Sequence, residues 1–385
     1  MSKKLSQHSR QASDRRAELV STQIAPPVQQ EVIKLAVDTH GSYYVVGRMI
    51  DNATPQPPQK MTPGKFLEFA QKQKRLAKRV VVMYEAGPFG FHLARELAAL
   101  GIECLVVAPQ NWDERNKRVR TDRTDTREML TRLDRYLAGN NKALAVVRIP
   151  TVEEEVTRDL SRHRDCFRKE KQRWISRGRS LLHRYGMTRP SRWWEPQRGK
   201  EIQKELTERY GESIALKLVG ILDETREAIS LMEIRVKDLT ERLKSAWRQR
   251  EQKRPVAVGE LSCEQLSREI MDWNRFANRR QVASYTGLCA GREQSGTSDR
   301  QLSVNKCGNR RVRAILVECA WLLPRWQPNY QALAKYKWLF TKERPGTSSA
   351  RKKAIVALAR RLAVDLWRLF TGRSTAEKLG LKLAT

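Results

Sequence analysis

The chain predicts an α/β domain followed by a longer all-α region, an α/β plus all-α protein. Three observations carry this. Between residue 31 and about 150, apolar runs without alternation (VIKLAVD, RVVVMYE, IECLVVAP) alternate with segments of helical character. Beyond 151 such runs cease and long charged segments with helical spacing take over. One of these holds an apolar seam at heptad spacing through about four repeats.

Taken in order, residues 1–30 are polar, basic and end in APPVQQ, the composition of a disordered arm. VIKLAVD reads as a strand, and SYYVVGRMI, after a short Gly-Ser turn, as its hairpin partner. TPGKFLEFAQKQK reads as a helix, with Thr62 at the N-cap and Pro63 in the first position. RVVVMYE is a buried strand, PFGFHLARELAALG a helix closed by Gly101, and IECLVVAP a further strand. Apolar runs of this kind belong to strands covered on both faces. A hairpin followed by strand–helix alternation is the order of a ribonuclease-H-like mixed sheet. A doubly wound nucleotide-binding fold competes with it, but no GxGxxG or GxxxxGK[ST] follows the first strand.

Residues 151–250 read as basic helices. Residues 158–200 hold 14 Lys/Arg against 4 Asp/Glu, with Leu160, Phe167, Trp174 and Leu181 recurring every seven positions. This is either a solvated helix with a thin seam or a basic helix lying on nucleic acid. Further on, Leu218, Leu222, Thr225, Ile229, Met232, Val236, Leu239, Leu243 and Ala246 follow a 4-3 spacing, a coiled-coil seam. Its partner is either another chain or, as an antiparallel hairpin, the helix at 158–182. The polar intermediate positions of that helix favour pairing between chains, as a dimer or a dimer of dimers. RQREQKRP (248–255) reads as a linker, residues 256–345 as a smaller domain of short helices and turns, and 346–385 as an amphipathic helix and tail. The apolar face of that helix is expected to pack on the preceding domain.

Lys plus Arg number 75 against 43 Asp plus Glu, a formal charge of +32. Fields of that size select polyphosphates or anionic membranes. No apolar run reaches the roughly 20 residues that span a bilayer, which disfavours a membrane partner. The six cysteines form no CxxC pair and the five histidines no ligand array, which argues against structural zinc and fits reduced packing cysteines in a cytosolic protein.

Against this basic background four acids stand out. Asp38 ends the apolar run KLAVD and Glu85 the run RVVVMYE, while Asp122 and Asp125 sit i, i+3 in RVRTDRTDTREM, on one face if that segment is helical. Oxygen ligands so grouped suit Mg²⁺, and two such ions can clamp the attacking and leaving oxygens of a phosphodiester. The other reading is a surface ion-pair helix, since Arg120, Arg123 and Arg127 surround the two aspartates. A second constellation is REQSGTSDRQLSVNKCGNRRVRAILVECAW (292–321). Here Ser295 lies in an expected exposed loop among Arg292, Arg300, Lys306, Arg310, Arg311 and Arg313, with Gly308-Asn309 capping the next helix. Such a serine either attacks a phosphodiester or only clamps phosphate by a hydrogen bond.

The two constellations, in this order and separated by a heptad seam, resemble the insertion-sequence "one-ten" family of transposases, with its "eleven-eleven" subgroup. The resemblance runs from about residue 31 to 370 and is strongest in AVDTH, VVMYEAGPFGFHLARELAALG, RTDRTD, WNRFANRRQVASYTGL and QSG…NKCGNRRVRAILVECAW. It implies a RuvC-like N-terminal domain with Asp38, Glu85, Asp122 and Asp125 as a metal-binding DEDD quartet, and Mg²⁺ as cofactor. It also implies Ser295 as the residue that attacks DNA and forms a covalent link, with carboxylates contributed by a partner subunit. A structured noncoding RNA would guide donor and target choice, in a bacterial or archaeal protein of the cytoplasm and nucleoid. Two departures are visible. QSGTS lacks the second glycine and the lysine of the family's SSGGK-like loop, and if those groups position phosphate, Arg292 or Arg300 must substitute for them. PVAVGELS keeps only Gly259 of a glycine-rich turn.

Overall fold

A computed structural model describes residues 29–109, 121–187, 191–296, 298–341 and 346–384. The expected arm at 1–30 lies, but for its last two residues, outside the described residues. Contacts divide the chain into two compact units meeting between Pro150 and Thr151.

The first unit is a five-stranded mixed sheet. β1 (Gln30–Thr39) and β2 (Tyr44–Ile50) form the expected hairpin, followed by β3 (Gln59–Met61), α1 (Pro63–Leu76), β4 (Ala77–Glu85), α2 (His92–Ala99), β5 (Glu103–Val107) and α3 (Asp122–Leu137). The strand order is β3-β2-β1-β4-β5. β1 pairs antiparallel with β2 and parallel with β4, and β4 pairs parallel with β5. Thr62 and Pro63 open α1 as expected, and Gly101 closes the turn after α2 at φ +65. The short β3, a polar QKM, has no apolar signal and was not expected.

Both sheet faces are covered, which explains the unbroken apolar runs. Ile33, Leu35, Val37, Val80, Val82 and Tyr84 pack with Phe66 and Leu97 on one side. Ala36, Val81, Met83 and Val107 pack with Met129, Leu130 and Leu133 of α3 on the other. Lys34 is buried on the α3 side, where its Nζ donates to Asp134 at 2.5 Å and to the Asp51 carbonyl at 2.7 Å, pinning α3 to the sheet. Burying an ammonium group is costly unless it is paired and hydrogen-bonded.

The second unit begins with α4 (Val152–Arg184), α5 (Pro196–Tyr210) and α6 (Glu212–Arg248). The heptad seam of α6 is covered by the chain's own α4 and α5. Leu218, Leu222 and Ile229 share a core with Ile175, Leu182, Ile202 and Leu206. The helices run antiparallel, because Arg164 Nε donates to Thr240 Oγ1 at 2.7 Å while Lys171 pairs with Glu233 at 2.6 Å. The preference for pairing this seam between chains is thus corrected. The polar positions of α4 that argued against an intrachain hairpin are the ones bound across it.

Trp193 is fully buried against α4, where its indole donates to the Ile175 carbonyl at 2.9 Å. A Cβ at Gly178 would stand 2.0 Å from that ring. Gly178→Ala is therefore expected to lower stability, although Ala ordinarily gains about 1 kcal/mol over Gly inside a helix. Displacing the indole outweighs this, for a net loss of about 1–2 kcal/mol. Thermal denaturation checks it, and an unchanged or raised Tm would show that Trp193 repacks freely.

The rest of the unit comprises β6 (Arg254–Pro255), α7 (Glu260–Ile270), α8 (Arg279–Thr286), the hairpin β7 (Ala290–Ser295) and β8 (Ser298–Val304), α9 (Arg310–Trp326), α10 (Ser348–Phe370), α11 (Ala376–Leu379) and β9 (Leu383–Ala384). The hairpin corrects the expectation of helices and turns alone across 256–345. As expected, the C-terminal helix packs on the preceding residues. Ile355, Leu358, Ala359, Leu362 and Leu366 of α10 share one core with Leu266, Leu316 and Leu323.

Candidate functional site

Strand parity builds the first half of the site. Successive strand residues face opposite sides, so Asp38 shares the α3-covered face with Ala36, and Glu85 shares it with Val81 and Met83. β1 and β4 run parallel with Val37 beside Tyr84, which brings the next residues, Asp38 and Glu85, to the same level at the strand ends. α3 begins there. Thr121 caps it in a reciprocal box with Thr124, and Asp122 and Asp125 occupy its first turn. The helix dipole favours negative charge at that end.

One ligand atom each from Asp38, His40 and Asp122 lies within 4.8 Å of the other two. His40 Nε2 is 3.5 Å from Asp38 Oδ2 and 3.4 Å from Asp122 Oδ2. Burial pushes the Asp38 carboxyl above its ordinary range. His40 opposes the shift, and the charges of Asp122 and Asp125 add to it. Asp125 is thus close enough to act on Asp38, whereas Glu85, on the neighbouring strand, is outside the tightest group. A half-buried cluster of like charges is unstable by itself and suits a cation. The donors fit one: carboxylate oxygens converge, and the imidazole Nε2 is shielded from solvent without a hydrogen bond.

Sequence pattern did not single out His40. It lies one residue past the end of β1, where the turn to β2 and not strand parity sets its direction.

Ser295 lies in the second unit, exposed at the tip of the β7–β8 hairpin, where it pairs with Ser298. The basic residues around it divide. Arg292 is held by Asp299 across the hairpin, Nε to Oδ1 at 2.7 Å. Arg311 turns away from the tip to pair with Asp165 of α4, and its Nε lies 3.9 Å from Glu269. Arg313 Nη1 donates to the carbonyls of Thr286 and Lys306 at 3.0 and 3.1 Å, closing the hairpin base. Arg300, Lys306 and Arg310 are exposed and remain the better candidates for phosphate.

Asn309 caps α9 as expected, accepting from the Arg311 and Val312 amides. That occupies donors which a phosphate would otherwise use. Its Nδ2 donates to Glu269 Oε2 at 3.0 Å and to the Tyr285 hydroxyl at 3.2 Å. Gly308 fits the close approach that results, since a Cβ there would stand 2.5 Å from the Tyr285 carbonyl oxygen. On α4, Lys169, Arg173 and Arg177 are exposed and spaced four residues apart, a basic ridge on one helix face.

Residues 256–336, which contain this hairpin and its supports, match the family described as Transposase IS116/IS110/IS902 family. The similarity extends further. A putative transposase, y4rJ, of Sinorhizobium fredii is 32% identical over 331 residues, 79% of this chain and 81% of that protein. The chain belongs to the IS116/IS110/IS902 family of transposases. The transposase for insertion sequence element IS1111A of Coxiella burnetii is 26% identical over 306 residues, 76% of this transposase and 78% of that one. A second Sinorhizobium fredii protein, the putative transposase y4qE, is 27% identical over 317 residues, 75% of each chain. Among the described residues of this family member, no helix is long and apolar enough to cross a membrane.

Proposed function

We propose that this chain is an insertion-sequence DNA transposase that cuts and rejoins DNA through Ser295, with Asp38, Glu85, Asp122 and Asp125 holding Mg²⁺. The observation that carries the reading is the convergence of Asp38 and Asp122, with Asp125 close behind, at the end of the central strand of a chain with net charge +32. The strand order β3-β2-β1-β4-β5, antiparallel only at β1–β2 and β2–β3, supports a ribonuclease-H/RuvC-like sheet.

Mg²⁺ bound among these acids would supply charge to polarise a scissile phosphate. The chain's own groups do the rest. Ser295 Oγ attacks phosphorus, a phosphoserine bond forms as a DNA P–O bond breaks, and the serine proton ends on the departing DNA hydroxyl. Bond energy is conserved, so rejoining needs no nucleotide cofactor. Arg300, Lys306 and Arg310 offset phosphate charge. A structured noncoding guide RNA and assembly as a homo-oligomer, dimer to tetramer, belong to the same reading and rest on the family resemblance.

The test is incubation of protein, candidate RNA and donor DNA with Mg²⁺, followed by a denaturing gel. A covalent protein–DNA species is expected from the wild type and none from Ser295→Ala, which should bind DNA and RNA as before. The same adduct from the alanine variant would remove Ser295 from the chemistry. Cleavage without any adduct would favour a metal-dependent RuvC-like nuclease that uses water.

A further inference from the structure

We infer that His40 is a nitrogen ligand of the cation held by Asp38 and Asp122, which raises the affinity of this centre for first-row transition ions such as Mn²⁺ relative to Mg²⁺, without excluding Mg²⁺. The inference rests on the metal reading above and adds a donor of a different chemical kind.

Hydrogen bonds between nitrogen and oxygen run at about 2.7–3.2 Å. The 3.4 and 3.5 Å separations from His40 Nε2 to the two carboxylates are longer, and that nitrogen makes no hydrogen bond although solvent does not reach it. Two ligands each about 2.1 Å from one ion stand roughly 3–3.5 Å apart, so the spacing is that of atoms sharing a cation. The ring is set in place. The His40 amide donates to the Tyr43 carbonyl at 3.0 Å, which closes the turn between β1 and β2. The imidazole lies on Tyr43 with ring centroids 4.6 Å apart, and Lys60 Nζ sits 3.5 Å from the centroid of that tyrosine ring. Mg²⁺ prefers oxygen ligands and gains little from a pre-set imidazole. Imidazole instead raises affinity for transition ions.

The experiment uses Mn²⁺ as the probe and the full-length protein without DNA. Electron spin-echo spectroscopy of bound Mn²⁺ should show coupling to a histidine nitrogen in the wild type, changed by ¹⁵N-histidine labelling and lost in His40→Gln. The variant should bind Mn²⁺ about tenfold more weakly and show a smaller preference for Mn²⁺ over Mg²⁺ in competition. Mn²⁺ that binds and is weakened by Asp38→Asn, but shows no nitrogen coupling in the wild type, overturns the role of His40 and leaves the carboxylate centre standing. Mn²⁺ affinity unchanged in Asp38→Asn overturns the carboxylate centre itself, and the His40 inference with it. The labelled wild type gives its answer even if the glutamine variant folds poorly.

Discussion

Replacing Asp38 with Asn is expected to reduce strand cleavage and recombination by more than about a hundredfold, beyond the loss that follows from disturbing an outer-sphere partner of a metal. Volume and shape are conserved, and the change removes the charge at the point where β1, His40 and the first turn of α3 converge. The fold should not suffer. Burial and the charges of Asp122 and Asp125 work against ionised Asp38 in the native state, and only His40 favours it. Without divalent ions the variant is therefore expected to melt at or above the wild-type temperature, while the wild type gains more stability than the variant when Mn²⁺ or Mg²⁺ is added. Parallel cleavage assays and thermal melts with and without metal check both halves. A variant that cleaves at near wild-type rate would take Asp38 out of the centre.

Glu269→Gln is expected to cost about 3–5 kcal/mol of stability at neutral pH, the loss typical when one member of a buried ion pair is removed. The Glu269 side chain is 1% exposed and takes two hydrogen bonds from Arg162 of α4, each 3.1 Å, besides the one from Asn309. Burial alone would raise its pKa. The hydrogen bonds from Arg162 and Asn309, with the charges of Arg162 and Arg311, hold it below the ordinary carboxylate range instead. A carboxyl so depressed contributes stability above its unfolded-state pKa and loses that contribution as pH falls through its lower folded-state value. The gap between wild type and variant should therefore be full at neutral pH and shrink in the acid range below about pH 4. Denaturant titrations at several pH values measure it. A gap under about 1 kcal/mol at pH 7 would show that water readily replaces the carboxylate.

Much of the sheet was legible because burial on both faces demands unbroken apolar runs, and VIKLAVD and RVVVMYE satisfy that demand. The acids were legible for the related reason that a charge closing such a run must sit at a strand end. His40 was not, because its position depends on a turn closed by the Tyr43 carbonyl. The β7–β8 hairpin was hidden by its polarity, since REQS and SDRQ carry no alternating apolar face. The roles of the arginines were hidden by distance along the chain. Nothing local marks Arg311 as a partner of Asp165, 146 positions earlier, and not of a phosphate. The partner of the heptad seam was misjudged for a similar reason, because Arg164 and Lys171 look like solvent-facing residues until Thr240 and Glu233 are opposite them.

The paired helices α4 and α6 form a lever. With 33 and 37 residues, each rises roughly 50 Å along its axis. That exceeds one turn of B-form duplex, about 34 Å. Along α4, Gly178, against which Trp193 wedges, lies 16 residues or roughly 24 Å from Arg162, which grips Glu269 at the base. A tilt of about 5° at the base would swing that point by about 2 Å. The buried charges at the base therefore do more than anchor a helix. They fix the angle at which the paired helices leave the core of the second unit.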